Sequence, residues 1–326
     1  MVYIKTLNKN IFPHYLPPKE DELFSSWFCR LAINHHVKPQ TFIQNYFGRH
    51  FPIMNRDIDL NTPKQLFEIL EKHIPLSKKN LNKLFLSDYV SYAFEKISEK
   101  GGYTNNVLPL GINHRKRKRF GLQFCPSCLK EKIYYRKQWR LATSLICTDC
   151  NQYLHDRCFR CSHPIAFHRI NISTSISIMD FKPLNICYNC SQNLAEYTPV
   201  ILPSSNEIKY QIYINSTIKK GYNKISQYSF NYVYTLLFLS TKLRCKKDNR
   251  FKEAILNTYP QYKEYCSIDK EIKYWDIKQR RETIPFINEL LNNPQTLHNT
   301  FINGRVHKSY LDNEKVLPYW IIKLTY

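Results

Sequence analysis

The sequence predicts a mainly α protein with an N-terminal helix-turn-helix-type helical domain, central tandem zinc-ribbon or zinc-finger modules, and a C-terminal helical domain. Two observations carry this prediction. Apolar residues recur at helical spacing in the first and last thirds of the chain. Between these regions, eight of the eleven cysteines form four Cys-x-x-Cys pairs. We therefore expect domains at residues 1–120, 121–200 and 201–326.

The composition is that of a strongly basic globular protein. The 326 residues include 48 Lys+Arg and 26 Asp+Glu, which gives a formal net charge of +22. The longest apolar stretch, at residues 233–239, is shorter than the roughly 20 residues of a transmembrane helix. The N-terminus has no apolar signal-peptide core. We expect a cytoplasmic protein without a membrane partner, and the charge fits both nucleic-acid binding and the lysine-rich usage of an AT-rich genome.

The first helix is predicted to begin after Pro17-Pro18. The acidic residues 20–22 would lie at its positive N-terminal end. We expect the helix to end near Asn34-His35 and Pro39 to open the next one. Its predicted buried face consists of Leu23, Phe24, Trp27, Phe28 and Leu31.

A second helical pair carries the helix-turn-helix prediction. Thr62 is expected to cap a helix with Pro63 at its first position and Gln65 completing the capping pattern. Ser77 is the expected N-cap of the following helix. The predicted DNA contacts on that helix are Lys78, Lys79, Asn82 and Lys83. An ordinary helical hairpin with a solvated lysine face would show the same pattern.

The densest run of cations follows His114. Consecutive cations repel one another in a regular element, so we expect an exposed loop that contacts phosphates. The predicted contacts are Arg115, Lys116, Arg117, Lys118 and Arg119. A basic loop without a specific role is the alternative. A second basic cluster, at residues 242–250, has aromatic residues scattered around it, and such a combination can bind nucleic acid, although ordinary half-buried core explains it better.

The four Cys-x-x-Cys pairs predict two structural zinc ions. Two thiolates separated by two residues reach one ion, and two such pairs complete a closed tetrahedral Zn²⁺ site. Disulfides require an oxidising compartment, and iron–sulfur clusters use more tightly clustered cysteines. The predicted ligands are Cys125, Cys128, Cys147, Cys150, Cys158, Cys161, Cys187 and Cys190.

The pairing of these ligands stays open at this point. Sequential pairing is favoured because only seven residues separate Cys150 from Cys158, but a cross-braced arrangement is the alternative. Histidines 155, 163 and 168 are nearby substitutes. The remaining thiols have no partner at metal-binding spacing, and the one in the first helix is expected to be a core residue. They are Cys29, Cys245 and Cys266.

Two parts of the chain together resemble the TniQ family. Residues 17–32, with the sequence PPKEDELFSSWFCRLA, resemble the opening of these proteins. Residues 124–161 resemble their zinc region through FCPSCL, WRL, CTDC and LHDRCFRC. The fourth ligand of the first site is commonly His in this family, whereas this chain has Cys150. Beyond about residue 200 no motif can be carried over.

The resemblance implies a non-enzymatic adaptor that selects target sites for heteromeric transposons. Such a protein binds target DNA or docks on an RNA-guided CRISPR complex, and recruits a AAA+ transposition ATPase. A homodimer is compatible with the same role. The alternative is a zinc-containing transcription regulator unrelated to transposition. A nuclease is disfavoured because the acidic residues are sparse and scattered, without a recognisable magnesium-binding pair.

Overall fold

The computed structural model describes residues 11–49, 51–98, 102–171, 181–265, 271–307 and 317–323. Within these ranges the chain is mainly helical, with two short two-stranded antiparallel sheets. The predicted mainly α class with central zinc modules is therefore confirmed. In the same ranges, no helix combines the length and apolar character that a membrane span requires.

The chain divides into two compact units. Unit 1 comprises Met1–Asp88, Leu110–Arg140 and Leu154–Val200, and unit 2 comprises Tyr89–Pro109, Leu141–Tyr153 and Ile201–Tyr326. The division into domains at 1–120, 121–200 and 201–326 remains a prediction.

The described residues of unit 1 contain five short α-helices around an aromatic core. Phe24 stacks on Phe85 with a centroid distance of 4.6 Å, and Trp27 and Phe28 are completely buried beside them. The helices are α1 Phe24–Asn34, α2 Pro39–Phe47, α3 Lys64–His73, α4 Lys78–Asn82 and α5 Pro126–Glu131. Strands β1 Ile112–Asn113 and β2 Lys116–Arg117 form an antiparallel hairpin.

The beginnings of α1 and α3 differ from the prediction. Helix α1 begins at Phe24, so residues 20–22 lie before its first turn. Glu22 is buried there and accepts hydrogen bonds from Ser26 and Arg30. The predicted Thr62 cap is wrong: the Thr62 hydroxyl donates to the Ile58 carbonyl, and Pro63 occupies the N-cap position of α3. The predicted end of α1, the start of α2 and the Ser77 cap of α4 agree with the structure.

Unit 2 is built on longer helices and a second hairpin. Two helices start with complete capping boxes, Ser204 with Glu207 and Asp276 with Gln279. The longest apolar stretch, at residues 233–239, lies within α7, which packs on α8 and α9. The elements are β3 Ile146–Cys147, β4 Gln152–Tyr153, α6 Ser205–Lys220, α7 Ser229–Arg244, α8 Arg250–Thr258, α9 Ile277–Leu291, α10 Pro294–Asn303 and α11 Tyr319–Ile322.

A buried amide joins α6 to the β3–β4 hairpin. The side-chain oxygen of Gln211 accepts hydrogen bonds from the backbone amides of Leu145 at 2.7 Å and Ile146 at 3.1 Å. Tyr210 donates its hydroxyl proton to the Thr143 carbonyl at 2.8 Å. Because unsatisfied backbone amides are costly in a protein interior, these contacts fix the hairpin on the helix.

Candidate metal centres and nucleic-acid interface

The eight paired cysteines form two groups of four. In each group, the Sγ atoms lie within 4.8 Å of one another. The first group contains Cys125, Cys128, Cys147 and Cys150, and the second contains Cys158, Cys161, Cys187 and Cys190. The grouping is sequential, so the cross-braced alternative does not apply to this structure.

The thiol geometry fits zinc. A tetrahedral ion with Zn–S distances of ~2.3 Å holds its sulfur atoms ~3.8 Å apart. In the second group, the Sγ atoms of Cys158 and Cys190 are 3.6 Å apart, as are those of Cys161 and Cys187. Each group can therefore hold one Zn²⁺ ion. Four thiolates leave no coordination position for substrate, so the two zinc ions have structural rather than catalytic roles.

Three of the four Cys-x-x-Cys pairs share one backbone design. The residue after the second cysteine adopts a left-handed conformation: Asn151 with φ 49°, Ser162 with φ 57° and Ser191 with φ 59°. In the second group, the amides of Ser162 and Ser191 donate to the carbonyls of Cys158 and Cys187. This turn directs both thiols of a pair toward the same point. Asn and Ser are suited to it because short polar side chains tolerate the left-handed region better than bulky ones.

The fourth pair uses a helix instead of a turn. Cys125 is the N-cap of α5, and Cys128 lies in the first turn of this helix. The guanidinium of Arg136 donates to the Cys128 sulfur at 3.5 Å. A tetrathiolate zinc site carries two net negative charges, so this cation offsets part of its charge.

The other candidate ligands lie outside the two groups. The Cys29 thiol is completely buried, which raises its pKa and makes it unreactive. Cys245 belongs to neither group, and Cys266 lies outside the described residues. The three nearby histidines, 155, 163 and 168, are also absent from both groups.

Helix α4 presents the predicted polar face to solvent. Leu81 is completely buried, and Leu84 and Phe85 just beyond the helix are buried as well. The predicted contact residues Lys78, Lys79, Asn82 and Lys83 are all exposed. Their exposure satisfies the first requirement for a DNA contact, while the helix itself spans only five residues.

The cation run is a β-hairpin rather than an irregular loop. Asn113 pairs with Lys116 and Ile112 with Arg117, and the two turn residues between the strands have positive φ angles. His114 has φ 46° and Arg115 φ 63°, the pattern of a type I′ turn that usually favours Asn and Gly. Four of the five predicted contacts are exposed, namely Arg115, Lys116, Lys118 and Arg119.

Arg117 is the exception because side chains alternate across a strand. Its side chain is buried, donates a hydrogen bond to the Ile165 carbonyl at 2.9 Å and lies over the Phe167 ring. Burial and the nearby Arg140 lower the pKa of Arg117 to about 10. The expectation of a fully exposed run is therefore wrong at this position, and Arg117 fastens the hairpin to the segment that follows the third cysteine pair.

A buried histidine forms a hydrogen bond to the His114–Arg115 turn. His168 Nε2 lies 3.0 Å from the Arg115 carbonyl oxygen. Since a carbonyl only accepts hydrogen bonds, this ring nitrogen carries the proton. Burial and the Arg117 charge lower the pKa of His168 to about 3, so the ring is neutral at pH 7. The sequence offered no signal for this contact, because the two residues are 53 positions apart.

Buried ion pairs and hydrogen bonds stabilise the interior of unit 1. Arg30 contacts the Glu22 carboxylate at 2.7 Å, and Arg140 contacts Asp57 at 2.6 Å. Asp59 accepts hydrogen bonds from both the amide and the hydroxyl of Ser25 at 2.7 Å. Burial and the neighbouring Asp57 charge raise the pKa of Asp59. These residues hold the helices in place, and sequence reasoning missed Asp57 and Asp59.

The buried residue of the second basic cluster, Arg244, has a structural role. Arg244 donates hydrogen bonds to the Gln279 carbonyl and to Glu282, and it lies over the Trp275 ring. Arg250 forms an ion pair with Glu253. Lys246 and Lys247 of the same cluster are exposed. The prediction that this cluster belongs to ordinary core therefore holds for Arg244.

Comparison with known proteins identifies the first half of the chain. A family model, TniQ, matches residues 13–154, which include α1–α5, the β1–β2 hairpin and the first cysteine group. No curated protein matches the chain significantly. The TniQ family is associated with transposition. Residues 13–154 are therefore similar to the TniQ family, and we call them the family region.

Proposed function

We propose that this protein selects target sites in DNA transposition. It binds target DNA, or a targeting complex already on DNA, and recruits a AAA+ transposition ATPase. The match of residues 13–154 to the TniQ family carries this proposal. The exposed cations of α4 and the hairpin support the DNA contact, and the two cysteine groups support a fold stabilised by zinc.

Duplex binding through lysine and arginine side chains has a characteristic dependence on salt concentration. Each lysine or arginine that neutralises a phosphate releases a counterion, which makes binding weaken steeply with salt. Helix α4 supplies Lys78, Lys79 and Lys83, and the hairpin supplies Arg115, Lys116, Lys118 and Arg119. None of these segments contains Tyr, Phe or Trp. Their contacts with DNA should therefore be dominated by phosphates rather than by stacking on bases.

The first prediction tests the α4 contact. Changing Lys78, Lys79 and Lys83 together to Gln should weaken binding to a 20-base-pair duplex. The slope of log affinity against log salt should become shallower by about 2 to 3, since each lost phosphate contact removes ~0.9. Fluorescence anisotropy of a labelled duplex across a range of sodium chloride concentrations measures both quantities.

A charge-matched control separates local contact from bulk charge. Lys209, Lys263 and Lys278 are exposed lysines of unit 2, and changing them to Gln removes the same three charges. This control should retain the wild-type slope. Equal salt slopes for the wild type and the α4 variant would show that the α4 lysines do not contact DNA.

Recruitment of the ATPase distinguishes the adaptor from a transcription regulator. The adaptor should retain a AAA+ ATPase from the same mobile element on a DNA bead, whereas a regulator should bind one operator without it. An RNA-guided mode would instead require a CRISPR complex for stable DNA association. A pull-down with and without each component assigns the protein to one of these modes.

A further inference from the structure

Unit 2 carries a second basic surface with a different character. Three tyrosines are exposed where α6 ends and α7 begins: Tyr92 is 45% exposed, Tyr222 57% and Tyr228 50%. Three exposed lysines belong to the same segment, and we name the set of six the tyrosine patch. Its members are Tyr92, Tyr222, Tyr228, Lys219, Lys220 and Lys224.

Tyr92 is held against the end of α6. Gly221 ends this helix in a left-handed conformation with φ 84°, and a Cβ atom placed on it would lie 3.3 Å from the Tyr92 ring. The Ser229 hydroxyl donates to the Tyr92 carbonyl at 2.6 Å. The absence of a side chain at Gly221 therefore lets an exposed ring lie close to the backbone, where it is positioned in advance.

The loop that carries the other two tyrosines is closed by hydrogen bonds. The Ser229 amide donates to the Gly221 carbonyl at 2.8 Å, which joins the two ends of the loop. Inside it, the Asn223 side chain accepts from the Ile225 and Ser226 amides. Tyr222 and Tyr228 therefore leave the base of one ordered loop, on either side of the Ser229–Gly221 bond.

The electrostatic setting favours a polyanion. No Asp or Glu occurs between Glu207 and Asp248, a stretch that includes all of the patch except Tyr92. Large aliphatic side chains in the loop region are not exposed, since Ile218 is buried and Ile225 is half-buried. The cores of protein–protein interfaces are depleted of lysine, so tyrosines surrounded by lysines fit nucleic acid better than a protein partner.

We propose that the tyrosine patch binds single-stranded nucleic acid. Unpaired bases stack on the exposed tyrosine rings, and the three lysines neutralise the adjacent phosphates. Bases in an intact duplex have their faces covered by their neighbours, so the patch discriminates against duplex DNA. Either DNA or RNA supplies this chemistry. The inference does not depend on the function proposed above, because it rests on exposed rings and lysines of unit 2 and not on the family match.

Fluorescence anisotropy with the full-length zinc-loaded chain tests the proposal. The probes are a deoxythymidine dodecamer, a uridine dodecamer and a 20-base-pair DNA duplex. Changing Tyr222 and Tyr228 together to Ala should weaken binding to single strands about tenfold or more, because stacking contributes strongly for each base. Duplex binding should stay within twofold. Comparison of the two dodecamers shows whether DNA or RNA is preferred.

Two further variants make the result specific. The double variant Tyr222→Phe and Tyr228→Phe keeps the rings and should retain single-strand affinity. Tyr274→Ala, at an exposed tyrosine 40% accessible to solvent outside the patch, should also leave it unchanged. Circular dichroism checks that each variant is folded.

Two results would overturn the proposal. One is the absence of single-strand binding by the wild type at low salt, and the other is an alanine variant that binds both dodecamers as the wild type does. The α4 lysine variant separates this outcome from failure of the proposed function, since it should lose duplex affinity while keeping single-strand affinity.

Discussion

The two basic surfaces of this protein are built for different partners. In unit 1, α4 and the β1–β2 hairpin expose lysine and arginine without a Tyr, Phe or Trp among them. In unit 2, the tyrosine patch places three exposed rings among its lysines. Cations alone bind the phosphates of a duplex, whereas rings with cations also stack unpaired bases. Net charge therefore says less about function than the side chains that accompany it.

The two surfaces also differ in the residue type that occupies a left-handed backbone conformation. Gly221 is the residue best suited to its φ of 84°. Arg115 has a φ of 63° at a turn position where glycine would be more stable. A strained residue that keeps a long cationic side chain exposed suggests that the cation has a role in binding. The comparison yields three further predictions.

The largest effect is expected from the second zinc site. Cys187→Ser should reduce the zinc content from two ions to one per chain and cost several kcal/mol of stability, because structural zinc contributes folding energy directly. The segment after its Cys158–Cys161 pair holds the hairpin through Ile165 and His168. Duplex affinity should therefore fall about tenfold or more with the loss of the hairpin's phosphate contacts.

Metal analysis and anisotropy measure these effects together. Single-strand affinity, which we place on unit 2, should remain within twofold of the wild type. Cys245→Ser is the matched control, since Cys245 belongs to neither group and its loss should leave two zinc ions. An unchanged zinc content in the Cys187 variant would show that Cys187 is not a ligand.

An intermediate effect is expected at the end of α6. Gly221→Ala should lower the free energy of unfolding by about 1–2 kcal/mol, because a side chain is disfavoured in the left-handed region. The added methyl group would also press on the Tyr92 ring and weaken single-strand binding. Urea denaturation followed by circular dichroism gives the stability change.

Gly48 provides the control for backbone strain alone. Its φ is 89°, but a Cβ there would meet no atom within 4 Å. Gly48→Ala should lose comparable stability without changing single-strand affinity. If both variants bind single strands equally well, Tyr92 does not belong to the binding surface.

The smallest effect is expected at Arg115, where one substitution should increase stability and weaken duplex binding. Arg115→Gly should stabilise the protein by about 1 kcal/mol, since glycine relieves the strain of the turn. The same change should weaken duplex binding and make the salt slope shallower by ~0.9, because one phosphate contact is lost. Lys116→Gln removes a cation outside the left-handed region and should weaken binding without the gain in stability. A lower free energy of unfolding for Arg115→Gly than for the wild type would show that the Arg115 backbone is not strained.

Local patterns made the helices and the zinc ligands predictable from the sequence. The end of α1 and the Ser77 cap of α4 follow from adjacent residues, and Cys-x-x-Cys spacing is a local signal. The role of Glu22 was mistaken because its carboxylate is used by Arg30 in the interior rather than by the helix terminus. A local acidic cluster does not reveal such a partner.

The binding surfaces were less predictable because exposure is a tertiary property. The cation run contains one buried arginine, which only the strand alternation of the hairpin explains. The tyrosine patch was missed because most of the 24 tyrosines have no local signal that separates core from surface. Contact between Tyr92 and Gly221 joins positions 129 residues apart, beyond the reach of any periodicity.

Assembly of a ternary complex tests the role in target selection most directly. The zinc-loaded protein, a AAA+ ATPase from the same mobile element and a labelled duplex would be combined, and retention of the ATPase on DNA measured with and without the protein. We predict that the ATPase is retained only when the protein is present, and that the α4 lysine variant reduces this retention. Equal retention of the ATPase in the presence and absence of the wild-type protein would contradict the proposed adaptor function.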